Sequence, residues 1–174
     1  MVAQLTDATI QTAVNAWISD PTQAQFTNAG NNPYYGLIAG WDTSQVTNMS
    51  NLFYNKSFFN DDISSWDVSN VINMGATFLG ATAFNRDISS WNVSAVNNMW
   101  AMFLGATAFN RDISSWNVSN VTHMQYMFNG ATAFNRDIRG WSVSASTVRT
   151  NMFTGATLMI EIYLAPLTPT PATQ

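Results

Sequence analysis

Four aspartates recur at a constant spacing of 25 residues, and an arginine directly precedes three of them. The aspartates are Asp62, Asp87, Asp112 and Asp137, and the arginines are Arg86, Arg111 and Arg136. A column of carboxylates could bind Ca²⁺, but this ion requires six to eight oxygen ligands. One carboxylate per repeat beside a cation is a poor site, so we predict no metal. We expect each aspartate to accept backbone amides at a bend and to pair with a neighbouring arginine.

Asparagine and methionine columns share this spacing. The columns consist of Asn60, Asn85, Asn110 and Asn135, and of Met49, Met74, Met99 and Met124. The asparagines predict a ladder of side-chain bonds to turn amides from repeat to repeat. The methionines lie beside phenylalanines at helical spacing, which predicts core packing rather than metal binding. The only histidine, His123, takes a position that holds asparagine in other repeats, so we expect it to be exposed.

The pattern does not indicate an enzyme, because no acid, base, nucleophile or metal cluster converges anywhere in it. We therefore expect no catalytic residues and no cofactor. The formal net charge of −4 argues against a nucleic-acid partner, since a basic face is absent. The apolar runs are too short for membrane insertion, and we find no signal peptide in this chain. Cysteine is absent, so disulfides give no indication of the compartment.

These columns arise from tandem repeats of 25 residues, each opened by a tryptophan. The tryptophans are Trp41, Trp66, Trp91, Trp116 and Trp141, and one unit reads WNVSAVNNMWAMFLGATAFNRDISS. Ile88-x-x-Trp91-x-Val93 has the spacing of leucine-rich repeats, which predicts a strand with Trp91 and Val93 inward. One unit cannot bury both of its faces, so the units must stack. The sequence therefore predicts an α/β repeat solenoid, a right-handed, leucine-rich-repeat-like stack of five coils.

A short helix is predicted in the second part of each unit. Val96, Met99, Met102 and Phe103 fall on one helical face. Ser94 is a suitable N-cap, because its hydroxyl can accept an amide proton. Glycine follows the predicted helix in four units, and Asn55 takes the same place in the first, as expected for a residue with positive φ. Each coil is thus predicted to contain one short strand and one short helix.

The two ends depart from the repeat and divide the chain into three predicted parts. Residues 1–40 are predicted to form an N-terminal helical cap and lead-in, with Thr6 or Asp7 capping the helix. Residues 41–165 form the five-coil solenoid, whose last coil is degenerate and ends in a predicted capping strand from Leu158 to Tyr163. Residues 166–174 are rich in proline and threonine, which indicates a tail or linker.

The repeat resembles that of the BspA-like leucine-rich-repeat surface proteins, particularly the repeats abundant in mycoplasma lipoproteins. The resemblance rests on W-[DN]-V-S-x-V-x-x-M-x-x-M-F-x-x-A-x-x-F-N-x-D-I-S-S and on the lead-in YYGLIAGWDTSQV. It implies a surface solenoid used for adhesion or recognition, located outside the cell or on its surface, and it carries no catalytic residues. In the fifth unit, Ser146 and Arg149 replace the usual Val and Met, so we expect a looser last coil.

We interpret the chain as a non-enzymatic recognition or adhesion module that binds a protein or glycan through the strand face of the solenoid. The candidate binding residues are Ser90, Asn92, Ser115, Asn117, Trp100 and Tyr126. The first four lie outward by alternation, and the last two are aromatics at exposed offsets. A structural subunit of a surface assembly, such as a virion or extracellular filament, is the alternative. Self-association would then use Leu158, Ile160 and Ile162.

Ice binding is a third, weaker hypothesis. It rests on one column of threonines between alanines, formed by Thr82, Thr107, Thr132 and Thr157. A single column of threonines offers a smaller ice-binding surface than a flat array of two threonine columns.

Overall fold

The computed structural model describes residues 4–19 and 36–159. Regular secondary structure is concentrated near the start, in β1 (Gln4–Thr6), α1 (Ile10–Ser19), a short 3₁₀ turn (Ile38–Gly40) and β2 (Asp42–Gln45). Strands β1 and β2 pair in parallel. Helix α1 buries Ile10, Val14 and Trp17, which recur at helical spacing, against the first coil. The predicted N-terminal helix is therefore present.

Five coils that begin at the tryptophans stack in parallel register. The bridges between them connect Asn48 to Asn73, Asn73 to Asn98, Asn98 to His123 and His123 to Val148. Alternate amides of each coil donate to carbonyls of the next, as from Met74 to Asn98 and from Phe78 to Met102, both at 2.9 Å. We call residues 47–55, 72–80, 97–105, 122–130 and 147–155 the ladder segments. Through them, the chain forms a repeat stack with little regular secondary structure.

The predicted helix is wrong, because the ladder segments consist of overlapping turns. Amides donate to carbonyls three residues earlier, as from Met102 to Met99 and from Leu104 to Ala101. Ala101 and Gly105 have φ of 51° and 68°, in the left-handed region that an α-helix excludes. Turns that repeat every few residues place apolar side chains inward at much the same spacing as a helix does. Ser94 is likewise no N-cap, because its amide and hydroxyl both donate to Asn92 Oδ1.

The strand predicted after each tryptophan is present in the first coil, as β2, but is wrong around Trp91, where only the alternation of side chains is confirmed. Trp91 and Val93 are buried, and Asn92 is exposed. The backbone here forms turns, in which the amide of Trp91 donates to Ile88 and that of Val96 to Val93. The tryptophan nevertheless connects coils, since its indole Nε1 donates to the carbonyl of Ile63 at 3.1 Å. Side chains thus make the coil-to-coil contact that a strand was predicted to make.

Aromatic rings fill the core as continuous columns. The rings of Phe78 and Phe103 stack with centroids 5.5 Å apart, and Phe103 stacks on Phe109 at 4.0 Å. All three are fully buried, as are the four methionines of the predicted core column. The core interpretation of the methionines is therefore confirmed.

The asparagine ladder is also confirmed. The amides of Asn85, Asn110 and Asn135 each donate to the side-chain oxygen of the asparagine one coil earlier, at 2.9 to 3.2 Å. Each asparagine thereby provides the acceptor for the bend of the next coil, and this explains why the residue recurs.

The last coil is less regular than the others. Thr147 is buried, and its hydroxyl donates to the carbonyl of Val121. Its amide bonds to Ser144, whereas in the coil before the amide of Val121 bonds to Val118, so the backbone has shifted by one residue. Residues 157–159 have helical backbone, so the start of the predicted capping strand is wrong. Ile160, Ile162 and the predicted tail at 166–174 lie outside the described residues.

Candidate recognition face

The surface at the start of the ladder segments combines a rigid backbone with variable side chains. We call the outward side chains of residues 47–51, 72–76, 97–101, 122–126 and 147–151 the ladder face. In the first three coils an asparagine supports it, and the side-chain oxygen of Asn98 accepts the amide of Trp100 at 2.9 Å. Asn48 and Asn73 make the same bond to residues 50 and 75. The position of Trp100 is thus held in a defined turn.

Trp100 departs from the repeat and is exposed. Its position holds Ser50, Gly75, Gln125 and Thr150 in the other coils. The side chain remains 43% exposed, although tryptophan has a large apolar surface. In the next coil, Gln125 Oε1 is shielded from solvent and has no hydrogen-bond partner in the described part of the chain. A large exposed aromatic and an unsatisfied amide oxygen thus occupy equivalent positions in adjacent coils.

Tyr126 directly follows Gln125 and has a φ of 60°. The equivalent residues Asn51, Ala76, Ala101 and Asn151 also have positive φ. Asparagine and glycine tolerate this region, whereas a bulky side chain there costs roughly 1–2 kcal/mol. Tyr126 is half-buried and makes no ring contact within the described residues. The positive φ is a property of the repeat, and Tyr126 is the one residue of the five with a bulky side chain.

Three residues on the ladder face were not identified from the sequence. Ile72 is 47% exposed where the other coils have Thr or Asn, and Val148 is 42% exposed in the bridge column. Gln125 is the third. The sequence feature that could have identified them is an apolar or larger side chain at an outward position where the other coils have a polar or small residue. His123 is exposed, as predicted, and its Nδ1 lies 2.8 Å from Thr122 Oγ1.

The four polar residues predicted as binding residues lie in turns and not on a strand. Ser90 and Ser115 donate their hydroxyls to carbonyls of the preceding coil, at 3.0 and 3.3 Å. The side-chain oxygens of Asn92 and Asn117 accept the amide and hydroxyl of the serine two residues later. All four are exposed, but each side chain already stabilises the turns. The structure does not bring them onto the ladder face with Trp100 and Tyr126.

The aspartate column forms backbone bonds, as predicted, and the predicted attraction to neighbouring arginines is present without a direct ion pair. The charges of Arg86, Arg111 and Arg136 each help to lower the pKa of the aspartate one coil earlier, after the larger contribution of the serine hydrogen bonds. Arg86, Arg111 and Arg136 donate Nε to asparagine carbonyls of the preceding coil. In the described residues, the ion pair is between Arg139 and Asp137, at 2.6 Å. Asp87 Oδ1 accepts the amide of Ser89, and this bond is the main reason that the pKa of Asp87 is lowered.

The polar columns mainly bond to the backbone. Among the residues that the structure describes, no three His, Cys, Asp or Glu side chains lie close enough to hold a metal ion. The hydroxyls of Thr82, Thr107 and Thr132 donate to carbonyls of the preceding coil. No described helix has the length and apolar character needed to cross a membrane. The ladder face instead presents exposed aromatic and aliphatic side chains on a backbone that is hydrogen-bonded from coil to coil.

The sequence matches one protein family twice. Residues 22–115 and residues 92–162 each match the family described as Mycoplasma protein of unknown function, DUF285. The two matches overlap and together extend over most of the chain, including all five coils that the structure describes. No curated protein and no solved structure matches the sequence.

Proposed function

The chain belongs to the DUF285 family, and we propose that it is a non-enzymatic recognition or adhesion module that binds a protein partner through its ladder face. The observation that carries this proposal is Trp100, an exposed tryptophan on a backbone fixed by hydrogen bonds on both sides. Tryptophan and tyrosine contribute a large share of the binding energy at protein interfaces, because they bury much area with few rotatable bonds.

The neighbours of Trp100 support a protein partner. Ile72, in the coil before, adds an exposed aliphatic group, and Tyr126, in the coil after, adds a second aromatic. The asparagine amides around them provide polar groups for a rim. An apolar centre with a polar surround is the usual composition of a protein interface. The parallel stack keeps these side chains in place, so little conformational entropy is lost on binding.

We assign the stack to the right-handed, leucine-rich-repeat-like solenoids of the BspA-like surface proteins. The support is the W-x-V spacing, the repeat of 25 residues and the parallel bridges between successive coils. This assignment gives the proposed location, at the cell surface or outside the cell. The acidic composition supports a protein ligand rather than a nucleic acid.

Binding should be measured on an array of purified extracellular proteins with fluorescently labelled chain. The test variant combines Trp100→Gln and Tyr126→Asn, which install residues that other coils hold at the same positions. We expect the variant to lose at least about tenfold in affinity, the usual cost of removing an interface aromatic, with an unchanged melting temperature. The comparison variant, Asn92→Lys with Asn117→Lys, removes two acceptors of the turns and should lower the melting temperature, but it should bind normally at a temperature where it is folded. Loss of binding in the comparison variant alone would place the site on the turns instead.

A structural subunit is the second candidate, and the last coil carries it. The amides of Arg149, Asn151 and Gly155 have no acceptor among the described residues, whereas their equivalents one coil earlier donate to this coil. Leu158, just beyond them, is 43% exposed. Amides without an acceptor among the described residues, beside an exposed apolar residue, form a surface suited to self-association. Light scattering should show an oligomer that Leu158→Lys converts to monomer; a monomeric wild type would exclude this candidate.

A further inference from the structure

A cleft of about 340 Å³ lies between helix α1 and the first coil. Trp17 and Ile18 of α1 form one side, and residues 55–59 and Asp61 form the other. Its volume falls at the lower end of the range for small-molecule sites, roughly 300–1,000 Å³. The cleft combines apolar walls with charged and neutral polar side chains, which is the composition expected of such sites.

The first coil departs from the repeat at this cleft. Coils two to four all read Gly-Ala-Thr-Ala-Phe-Asn-Arg, at residues 80–86, 105–111 and 130–136. The first coil reads Asn-Lys-Ser-Phe-Phe-Asn-Asp at residues 55–61. Five of the seven residues differ, and all five line the cleft. Departures that collect around one cavity indicate a shared role.

Packing accounts for one of these departures, and the positive φ of Asn55 accounts for a second, but the most conspicuous one has no such explanation. Asp61 Oδ2 accepts the indole proton of Trp17 at 2.8 Å, so this aspartate holds α1 in place. Phe58 replaces Ala83, Ala108 and Ala133, yet its ring is 95% exposed. Removing such an apolar ring from water is favourable. The fold does not use this apolar surface, so a ligand is its natural partner.

The polar groups of the cleft define the chemistry of the ligand. The Lys56 ammonium makes no ion pair with any described carboxylate, and the Ser57 hydroxyl and Asn55 amide make no side-chain hydrogen bonds in the described part of the chain. Asp61 keeps its second oxygen as an acceptor. The cleft thus offers donors and acceptors together with one charge of each sign. A ligand with a net charge would be attracted by one charged group and repelled by the other.

We propose that this cleft binds a neutral hexopyranose, as the terminal unit of a glycan. Sugar hydroxyls both donate and accept, so they can satisfy Lys56 and Asp61 without a net charge. The apolar C–H face of the ring can pack on Phe58 through weak contacts with the aromatic face. The ring of Phe58 is exposed, so the remainder of the glycan can extend into solvent from that side. This site lies in the first coil, apart from Trp100, and does not depend on the proposed function.

The test uses an array of neutral, sialylated and sulfated glycans, followed by NMR titration of the ¹⁵N-labelled chain with the methyl hexopyranoside of the best neutral glycan. We expect shifts confined to the amides of residues 55–61 and of Trp17. Phe58→Ala and Lys56→Ala introduce the residues of coils two to four, and each should weaken binding at least tenfold with an unchanged melting temperature. Trp100→Gln should bind the sugar normally, which separates this site from the ladder face.

Several results would overturn the assignment. They are the absence of binding to any neutral glycan, equal affinity in Phe58→Ala, and binding restricted to charged glycans. Tighter binding of a free zwitterionic amino acid than of any sugar would also overturn it, because Lys56 and Asp61 would then be reading the two charges of that ligand.

Discussion

The two ends of the stack differ in the hydrogen bonds that the described residues make there. Within the ladder segments, alternate amides such as those of Met74 and Phe78 donate to the next coil, whereas the amide of Ile72 donates to the coil before. At the N-terminal end, Asp7 takes the place of a missing coil. Its carboxylate accepts the amides of Thr47 and Asn48, at 2.7 and 3.0 Å. In the second coil, the equivalent amide is that of Ile72, and it donates to the backbone carbonyl of Thr47. Asp7 therefore acts as an acceptor for the coil and not as the predicted helix cap.

The first coil also presents carbonyls that need donors, and α1 supplies one. Gln11 Nε2 donates to the carbonyl of Leu52 at 3.2 Å. At the C-terminal end, the amides of Arg149, Asn151 and Gly155 have no acceptor among the described residues, whereas their equivalents one coil earlier donate to the next coil. The comparison teaches that the ladder bonds leave carbonyls at the first coil and amides at the last.

The apolar columns weaken towards the C-terminal end as well. Val143 is only partly buried, whereas the equivalent Val68, Val93 and Val118 are 1% exposed. A cleft of about 150 Å³ lies beside Trp141 and Met152, where the central coils are packed. We therefore expect the stack to open from its last coil, as free energies of local opening are lowest where packing is poorest.

The largest expected effect compares one tryptophan in the middle with one at the end. Trp91→Ala empties a site between two packed coils and should destabilise by about 3–5 kcal/mol. Trp141→Ala should cost less, about 2 kcal/mol, because its site already borders a cleft and can collapse. Chemical denaturation followed by circular dichroism measures both. Equal losses would show that the last coil is as firmly packed as the third.

The columns were predictable from the sequence because burial depends on side-chain type at a fixed repeat, and the repeat is explicit. The backbone between them was not. Apolar residues at Val96, Met99 and Met102 fit a helix, and a series of turns with two left-handed residues per coil gives the same pattern. The left-handed residue at Gly105 was predicted, and its positive φ is confirmed. The one at Ala101 gave no signal, because alanine seldom adopts that conformation.

The candidate site was predictable only in part, for a related reason. Trp100 and Tyr126 were identified as departures from the repeat, and both are accessible. The side chain of Trp100 is 43% exposed, and that of Tyr126 is half-buried. Asn92 and Ser90 were chosen because a strand was expected there. That segment forms turns instead, and their side chains make hydrogen bonds to the backbone. The cleft beside α1 could not be predicted, because it needs a contact between Trp17 and Asp61 that lie 44 residues apart.

The second comparison uses glycines at the same position of two coils. Gly105 and Gly155 have φ of 68° and 74°, and a Cβ would meet only ordinary contacts in either place. Gly105→Ala should therefore cost about 1–2 kcal/mol from left-handed strain alone. If the last coil opens by itself, Gly155→Ala should lower the free energy of global unfolding by less than Gly105→Ala does. Gly105→Asn, which copies Asn55 of the first coil, is the control and should be nearly neutral. Hydrogen exchange separates local from global opening.

Removing the acceptor at the N-terminal end gives a smaller, pH-dependent effect. Partial burial is the largest influence on Asp7 and raises its pKa, but the Thr47 hydroxyl and the amides of Asn48 and Thr47 together lower the pKa below its ordinary 3.8. This stabilisation is present above the unfolded pKa and is lost as the pH falls through the folded pKa.

Asp7→Ala should therefore cost about 1 kcal/mol at neutral pH, the usual value for a capping acceptor. The difference from wild type should shrink below about pH 4, where the unfolded carboxylate protonates. Thermal melting across pH 2–7 measures it. A difference that stays constant with pH would mean that the charge of Asp7 is not what closes this end.

The smallest effect is expected for the ion pair at the other end, and it bears on why that end stays weaker. Arg139 replaces a serine of the earlier coils and holds Asp137 through two side-chain bonds of 3.0 and 2.6 Å. The side-chain bond from Arg139 is the main reason that the pKa of Asp137 is lowered to about 2, with its backbone amide second. Both side chains are more than half exposed, at 65% and 56%, so water screens the attraction. Arg139→Ser should raise the pKa of Asp137, measured by carboxyl NMR titration, and leave the melting temperature at neutral pH unchanged. A clear drop in melting temperature would mean that this pair contributes to the stability of the last coil, and the difference in stability between the two ends would then be smaller than the packing of the described residues indicates.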